Sequence, residues 1–294
     1  MFLRRLRLTL EMIKFEHSVF ALPFALTGAL LAWRAQGFPY EGLWWKLSWI
    51  VLAMVAARSA AMAFNRLLDA EIDAINPRTK DRHLPAGKVS KKFTWWFIFF
   101  SAFAFIVAAG NLNRLCFFLA PFVLAVLFFY SFTKRFTAYS HLVLGFALGL
   151  SPAAAWIAVQ GTLALPILWL TAAVTFWTAG FDIIYACQDH QFDTETGLHS
   201  LPRKLGVAKA LWSSRLLHVL MLVCLLALAI TMKLGVLSLI GVGAVAALLI
   251  YEHSLVRADD LSRVNAAFFT VNGYVSVLFF CFWAADILYA RRGA

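Results

Sequence analysis

The sequence is short of charge and of polar runs. Only 14% of its 294 residues are Asp, Glu, Lys or Arg, where a soluble domain carries about a quarter. No polar stretch is long enough for a separate soluble domain, so residues 1–294 read as one domain. Cysteine is scarce too. Cys116, Cys187, Cys224 and Cys281 are widely spaced without any CxxC pattern, which indicates neither a zinc site nor a disulfide framework. Acidic residues number 15 against 26 Lys and Arg, for a formal net charge of +11. That excess does not point to nucleic acid, because the basic residues lie between apolar runs and form no continuous stripe. They suit loops against anionic headgroups, and an anionic substrate.

What is present is apolar: 62% of the chain is hydrophobic, with 28 Phe and 11 Trp. Runs of about 18 or more apolar residues recur along its length and predict an all-α integral membrane protein with the lipid bilayer as its partner. Nine spans are expected, at 15–33, 46–69, 93–109, 114–131, 139–159, 165–188, 210–231, 234–252 and 265–289. Arg4, Arg5 and Arg7 before the first run mimic a signal peptide, but the run is long enough to span and is expected to be retained. The N-terminus and the loops after even-numbered spans carry roughly three times the Lys and Arg of the opposite side, which places them in the cytoplasm of a bacterial-type inner membrane.

Two polar constellations stand out at cytoplasmic helix ends. The first is Asn65-Arg-Leu-Leu-Asp69-Ala-Glu-Ile-Asp73. Residues four apart share a helix face, so Asn65, Asp69 and Asp73 form one oxygen-rich stripe, with Arg58 deeper on that face. The second is Asp182-Ile-Ile-Tyr185-Ala-Cys-Gln-Asp189-His-Gln-Phe-Asp193. Asp69 and Asp73 recur 120 residues later as Asp189 and Asp193. Each cluster leads into a Leu-Pro step and a basic, Gly-containing stretch. An aspartate within a span costs about 2.5–3.5 kcal/mol on insertion scales and normally faces a cavity, which marks Asp182 as functional. A single carboxylate pair at a helix end is common. Two pairs sharing spacing and side are not, and four carboxylates on one cavity would repel unless cations neutralised them. Oxygen ligands suit magnesium, which prefers to bridge to substrate phosphates; a metal-bridged diphosphate is a good leaving group. Lys80 and Arg82 follow the first cluster and are candidate phosphate contacts.

Tyr130-Ser-Phe-Thr-Lys134 ends the fourth span with a phenol and an ammonium on one face. It reads either as a second phosphate contact or as a belt tyrosine with a snorkelling lysine. Lys14 and His17 enter the first span three residues apart, suited to an acidic aromatic acceptor, to the diphosphate, or to interfacial anchoring. The aromatic load suits a greasy channel whose ring faces stabilise an allylic cation.

Together, Asn65-xxx-Asp69-xxx-Asp73, Tyr130-xxx-Lys134 and Asp189-xxx-Asp193, in this order on nine spans, resemble the UbiA superfamily of intramembrane aromatic prenyltransferases. Lys80-Asp-Arg82-His-Leu-Pro-Ala-Gly87 and Gly197-Leu-His-Ser-Leu-Pro202 agree. The resemblance implies nine helices around a central cavity with a cytoplasmic cap. It also implies two Mg2+ ions on Asn65, Asp69, Asp73, Asp189 and Asp193, holding a polyprenyl diphosphate for attack by an electron-rich ring in quinone biosynthesis. On the same resemblance Lys80, Arg82 and Lys134 contact diphosphate, Tyr130 supports that end, and Asp182 is the candidate for activating the acceptor; Arg58 and Tyr185, in the two polar constellations, are candidate substrate contacts. Lys14-Phe-Glu-His17-Ser-Val-Phe-Ala-Leu-Pro-Phe24 departs from the pattern of members that prenylate 4-hydroxybenzoate for ubiquinone. It is similar to a branch associated with the futalosine route to menaquinone, so an aminodeoxyfutalosine-type acceptor stands beside 4-hydroxybenzoate. Two other classes share features. A cation transporter also places carboxylates in the membrane. A CDP-alcohol headgroup transferase would need an Asp-Gly-xx-Ala-Arg text that is missing.

Overall fold

The computed structural model describes residues 2–13, 20–39 and 41–289. Those residues are helical throughout their ordered elements, with no strand among them. An N-terminal helix α1 (Phe2–Met12) precedes α2 (Leu22–Ala35), α3 (Leu43–Leu68) and the short α4 (Ala70–Ile75). Then come α5 (Lys91–Leu112), α6 (Arg114–Thr133), α7 (Ser140–Gln160) and α8 (Ile167–Ala186). Two short helices, α9 (His190–Thr196) and α10 (Leu201–Leu205), lead to α11 (Val207–Thr231), α12 (Val236–Ser254) and α13 (Asn272–Tyr289).

Nine of these are apolar helices of membrane type, but only eight, among the described residues, are long and apolar enough to cross a bilayer. The exception is α2, whose 14 residues span about 21 Å, short of a hydrocarbon core of about 30 Å. The expected first span began at residue 15, within the stretch outside the described residues.

Local chemistry fixes the breaks. Gly161 closes α7 in the left-handed conformation, φ +74°, which costs glycine nothing. Asn113 is the whole link between α5 and α6; the expected four-residue link from Gly110 is instead the end of α5. The Asn113 side chain accepts from the Cys116 N–H at 2.9 Å and donates to the Ile157 carbonyl at 2.8 Å, tying this corner to the end of α7. Small residues set the tightest contact. A Cβ on Gly145 would lie 2.2 Å from the Thr175 carbonyl oxygen, and one on Gly149 2.6 Å from that of Thr171, so α7 and α8 touch backbone to backbone.

Apolar side chains cover the outside as well as the core, as lipid demands. Phe122 is 70% and Ile230 74% exposed, while Trp177, Trp283, Phe24 and Phe279 are fully buried. Phe24 stacks on Phe279 at 4.6 Å and tilts on Trp177 at 4.9 Å, joining α2, α8 and α13.

A polar knot crosses this core. Asn272 follows a π-helical turn, Ala266–Val271. Its amide donates to the carbonyls of Ala267 and Phe268 and to Glu252, and its oxygen accepts from Trp177. The carbonyls that the wider turn displaces are thus paired inside the protein, as a lipid environment requires.

Candidate active site

The first acidic cluster sits where α3 ends. The helix does not run through it as one face. Asp69 leaves helical geometry at φ −87°, ψ 1°, and α4 restarts at Ala70. The hydrogen-bond ladder nevertheless continues: Asp69 N–H donates to the Asn65 carbonyl at 2.9 Å and Asp73 N–H to that of Asp69 at 2.7 Å. The three side chains therefore stay together, and the Asn65 amide donates to Asp69 at 3.2 Å. The second cluster repeats the device. Past Ala186 a 3₁₀ turn, Cys187–Asp189, leads into α9, which Gly197 closes at φ +79°.

Basic side chains knit the two clusters. Arg82 Nη1 donates to both Asp73 oxygens, at 2.7 and 2.8 Å. Arg135 donates to Asp69 at 3.0 Å and to the Leu68 carbonyl at 3.1 Å. Its chain neighbour Lys134 lies 3.0 Å from Asp193. Arg78 reaches from the loop after the first cluster to Asp189, Nε to Oδ1 at 2.9 Å and Nη2 to Oδ2 at 2.5 Å. Asn76 adds a third donor to Asp189 at 3.2 Å. Arg78 also donates to the Tyr185 hydroxyl at 2.9 Å, with its guanidinium over the ring at 5.1 Å. The mutual repulsion expected to require metal is therefore met first by four bases, one per aspartate.

Burial and charge oppose each other here. Burial holds the Asp69 carboxyl above the usual range, against the pull of Arg135. Burial pulls the Arg78 guanidinium down, and the hydrogen bonds and charge of Asp189, with help from Tyr185, outweigh it and raise it. Asp193 is 0% exposed, and among the described residues neither of its oxygens is in hydrogen-bonding geometry with a partner. The Lys134 ammonium, close but misaligned, is its ion-pair partner.

The donors suit a hard divalent cation. Asn65, Asp69, Asp73, Asp189 and Asp193 offer only oxygen once the amide turns, and among the described residues both Asp193 oxygens are without hydrogen bonds. Among the described residues no group of three or more His, Cys, Asp or Glu is gathered as a metal cage. Magnesium does not need one, because it keeps waters and takes one or two carboxylates plus substrate phosphates.

Against the mouth lies an apolar cavity of about 510 Å³ between α3, α5, α6, α7 and α8. Ala53, Ala57, Ala120, Leu148 and Ala154 are among its walls, and Arg58, Tyr130, Ser151 and Thr171 are its polar members. Tyr130 lies four residues before Lys134, the ion-pair partner of Asp193, so this end of the cavity faces the acidic clusters. At its flank the lining residues Phe122 and Leu163 are 70% and 51% exposed, so the cavity opens towards the bilayer.

The structure thus gathers Asn65, Asp69, Asp73, Arg82, Lys134, Tyr185, Asp189 and Asp193, and puts Arg58 and Tyr130 on the cavity wall. Lys80 is not among them. It is exposed on the turn, and its side chain has no ion pair or hydrogen bond among the described residues. Lys14 and His17 lie outside the described residues. Asp182 meets a partner that the sequence did not announce: His141 Nδ1 lies 2.7 Å from its Oδ2. Arg78 was visible in the sequence as a basic residue after the first cluster, ranked behind Lys80 and Arg82 as a phosphate contact; Arg135 was visible only as topological charge, and Asn76 gave no signal at all.

The family model described as "UbiA prenyltransferase family" matches residues 21–290. A 4-hydroxybenzoate octaprenyltransferase of Vibrio cholerae serotype O1 is 32% identical over 247 residues, covering 83% of this chain and 84% of that protein. A protein of the same name from Cupriavidus necator is 30% identical over 274 residues, covering 90% and 92%. Among solved structures, the apo structure of a UbiA homolog from Aeropyrum pernix K1 superposes with a TM-score of 0.83 at 31% identity, covering 92% of this chain and 98% of that one. A UbiA homolog from Archaeoglobus fulgidus bound to DMAPP and Mg2+ shares the fold, with a TM-score of 0.73 at 18% identity over 95% and 99%.

Proposed function

This chain belongs to the UbiA prenyltransferase family, and from that membership we propose that it transfers a polyprenyl chain from its diphosphate to 4-hydroxybenzoate or a related aromatic acid, in quinone biosynthesis. The observation that carries the proposal is the bridged acidic mouth: Arg78, Arg82, Lys134 and Arg135 interleaved with Asp69, Asp73, Asp189 and Asp193 at the head of an apolar cavity. A diphosphate is the ligand class that needs hard cations and guanidinium groups together, and the prenyl tail needs the cavity below.

In this reading Asn65, Asp69, Asp73, Asp189 and Asp193 hold two Mg2+ ions. When bound, magnesium neutralises the diphosphate and makes it a better leaving group. Arg82 and Lys134 orient the diphosphate, and Arg78 holds Asp189 in place. The allylic C1–O bond breaks and its electron pair leaves with the diphosphate. A ring carbon of the acceptor forms the new bond to C1, and the displaced ring proton passes to the Asp182 carboxylate, restoring aromaticity. Tyr130 and Arg58 border the path of the reacting carbon. The positive-inside balance supports a cytoplasmic mouth.

The test is an acceptor panel. Purified protein with Mg2+ and labelled geranyl diphosphate is offered 4-hydroxybenzoate and an aminodeoxyfutalosine-type compound side by side, and products are read by mass spectrometry. A prenylated 4-hydroxybenzoate supports the proposal. Prenylation of the other acceptor alone moves the chain to the menaquinone branch, and magnesium flux without any product would sink the transferase reading.

A further inference from the structure

We infer that His141 is a positioning residue: it orients Asp182 towards the acceptor and ties that orientation to the docking of the 197–206 segment. The inference rests on the proposed role of Asp182. His141 stands in the first turn of α7 and is 4% exposed. Its Nδ1 lies 2.7 Å from Asp182 Oδ2, and its Nε2 accepts the Leu201 backbone N–H at 3.4 Å. A backbone amide can only donate, so Nε2 is the bare nitrogen of a neutral ring and the Nδ1 proton is directed at Asp182. Among the described residues Asp182 Oδ1 has no hydrogen-bond partner, and the carboxylate keeps 19% exposure on an otherwise well buried helix. One oxygen is held and the other is left for a substrate.

The far side of the ring grips the segment that follows the second acidic cluster. Leu201 opens α10 behind the Ser200 cap. Two more contacts fasten the same segment near the start of α7. Lys204 donates to the Tyr139 hydroxyl at 3.0 Å, and His199 N–H donates to the Lys134 carbonyl at 2.9 Å. Lys134 is the partner of Asp193. His141 therefore stands between the acceptor's base and the segment whose His199 N–H is held by the Lys134 carbonyl.

The experiment compares kcat and KM for geranyl diphosphate and 4-hydroxybenzoate in His141→Ala, His141→Asn, His141→Gln, Asp182→Asn and the double variant His141→Ala/Asp182→Asn. Asn places an N–H where Nδ1–H stands, and Gln does not. His141→Ala should lose roughly tenfold to a hundredfold in kcat, the usual effect of removing an orienting partner, with KM for geranyl diphosphate unchanged. His141→Asn should recover most of that loss and His141→Gln little of it, and the double variant should be no slower than Asp182→Asn alone. Equal losses in the Asn and Gln variants, with both KM values raised, would reduce His141 to a packing residue and overturn the inference. Full turnover in His141→Ala beside a slow Asp182→Asn would overturn it while leaving Asp182 its role. Full turnover in Asp182→Asn would remove the role itself.

Discussion

Arg78 and Asp189 are 111 residues apart in sequence and share two hydrogen bonds across the mouth of the cavity. The fork of one guanidinium matches both carboxylate oxygens, the geometry that fixes orientation as well as charge. Arg78→Ala should lower metal affinity about tenfold to a hundredfold, the usual cost of losing an orienting partner. Arg78→Lys should recover only part, because a point charge cannot fork. A magnesium titration of prenyl transfer reads both; unchanged magnesium dependence in Arg78→Ala would count against the bridge.

Asp193 carries a second prediction. Its carboxylate is wholly buried and, among the described residues, has no hydrogen bond and one ammonium beside it. Asp193→Asn should abolish magnesium-dependent turnover, by roughly a hundredfold or more, while leaving the protein folded. Lys134→Met should be worse for folding than Asp193→Asn, because it leaves the buried charge unpaired, at about 3–5 kcal/mol. Thermal unfolding in detergent separates the two.

Part of this was legible beforehand. The spans were legible because apolar runs have few alternatives in a bilayer, and the observed helices fall within a few residues of them from α5 to α12. The aspartates were legible because carboxylates near a membrane core are costly. Asn76, Arg135 and His141 were not. Arg135 reads as a loop charge, and only the packing of α6 against the end of α3 turns it onto Asp69. His141 looks like one polar residue entering a helix until Asp182, 41 residues on, is folded against it. Lys80, two residues before Arg82, stands exposed on the turn, and its contact with phosphate stays part of the proposal.

The cavity makes a prediction about the donor. Its flank is open at Phe122 and Leu163, so a long tail can leave into the bilayer, and geranyl and octaprenyl diphosphates should both be accepted. Ala154→Trp fills the wall and should raise KM for the long donor by about tenfold, the lower end of the range for a lost apolar contact. Equal effects on both donors would place the tail elsewhere.

The α7–α8 seam predicts a stability effect remote from the chemistry. Gly145→Leu must push apart two backbones already in contact, at about 1–3 kcal/mol for overpacking. Earlier thermal inactivation is expected, with kcat of the surviving fraction retained.

Central to the proposed function is that the two acidic clusters act together on one diphosphate. Its most direct test is single-turnover release of diphosphate from geranyl diphosphate with Mg2+ and 4-hydroxybenzoate, in the parent, Asp69→Ala, Asp189→Ala and the double variant. The predicted result is one diphosphate released per prenylated acceptor in the parent, and release lost in each single variant and no further in the double. Full release in either single variant would contradict it.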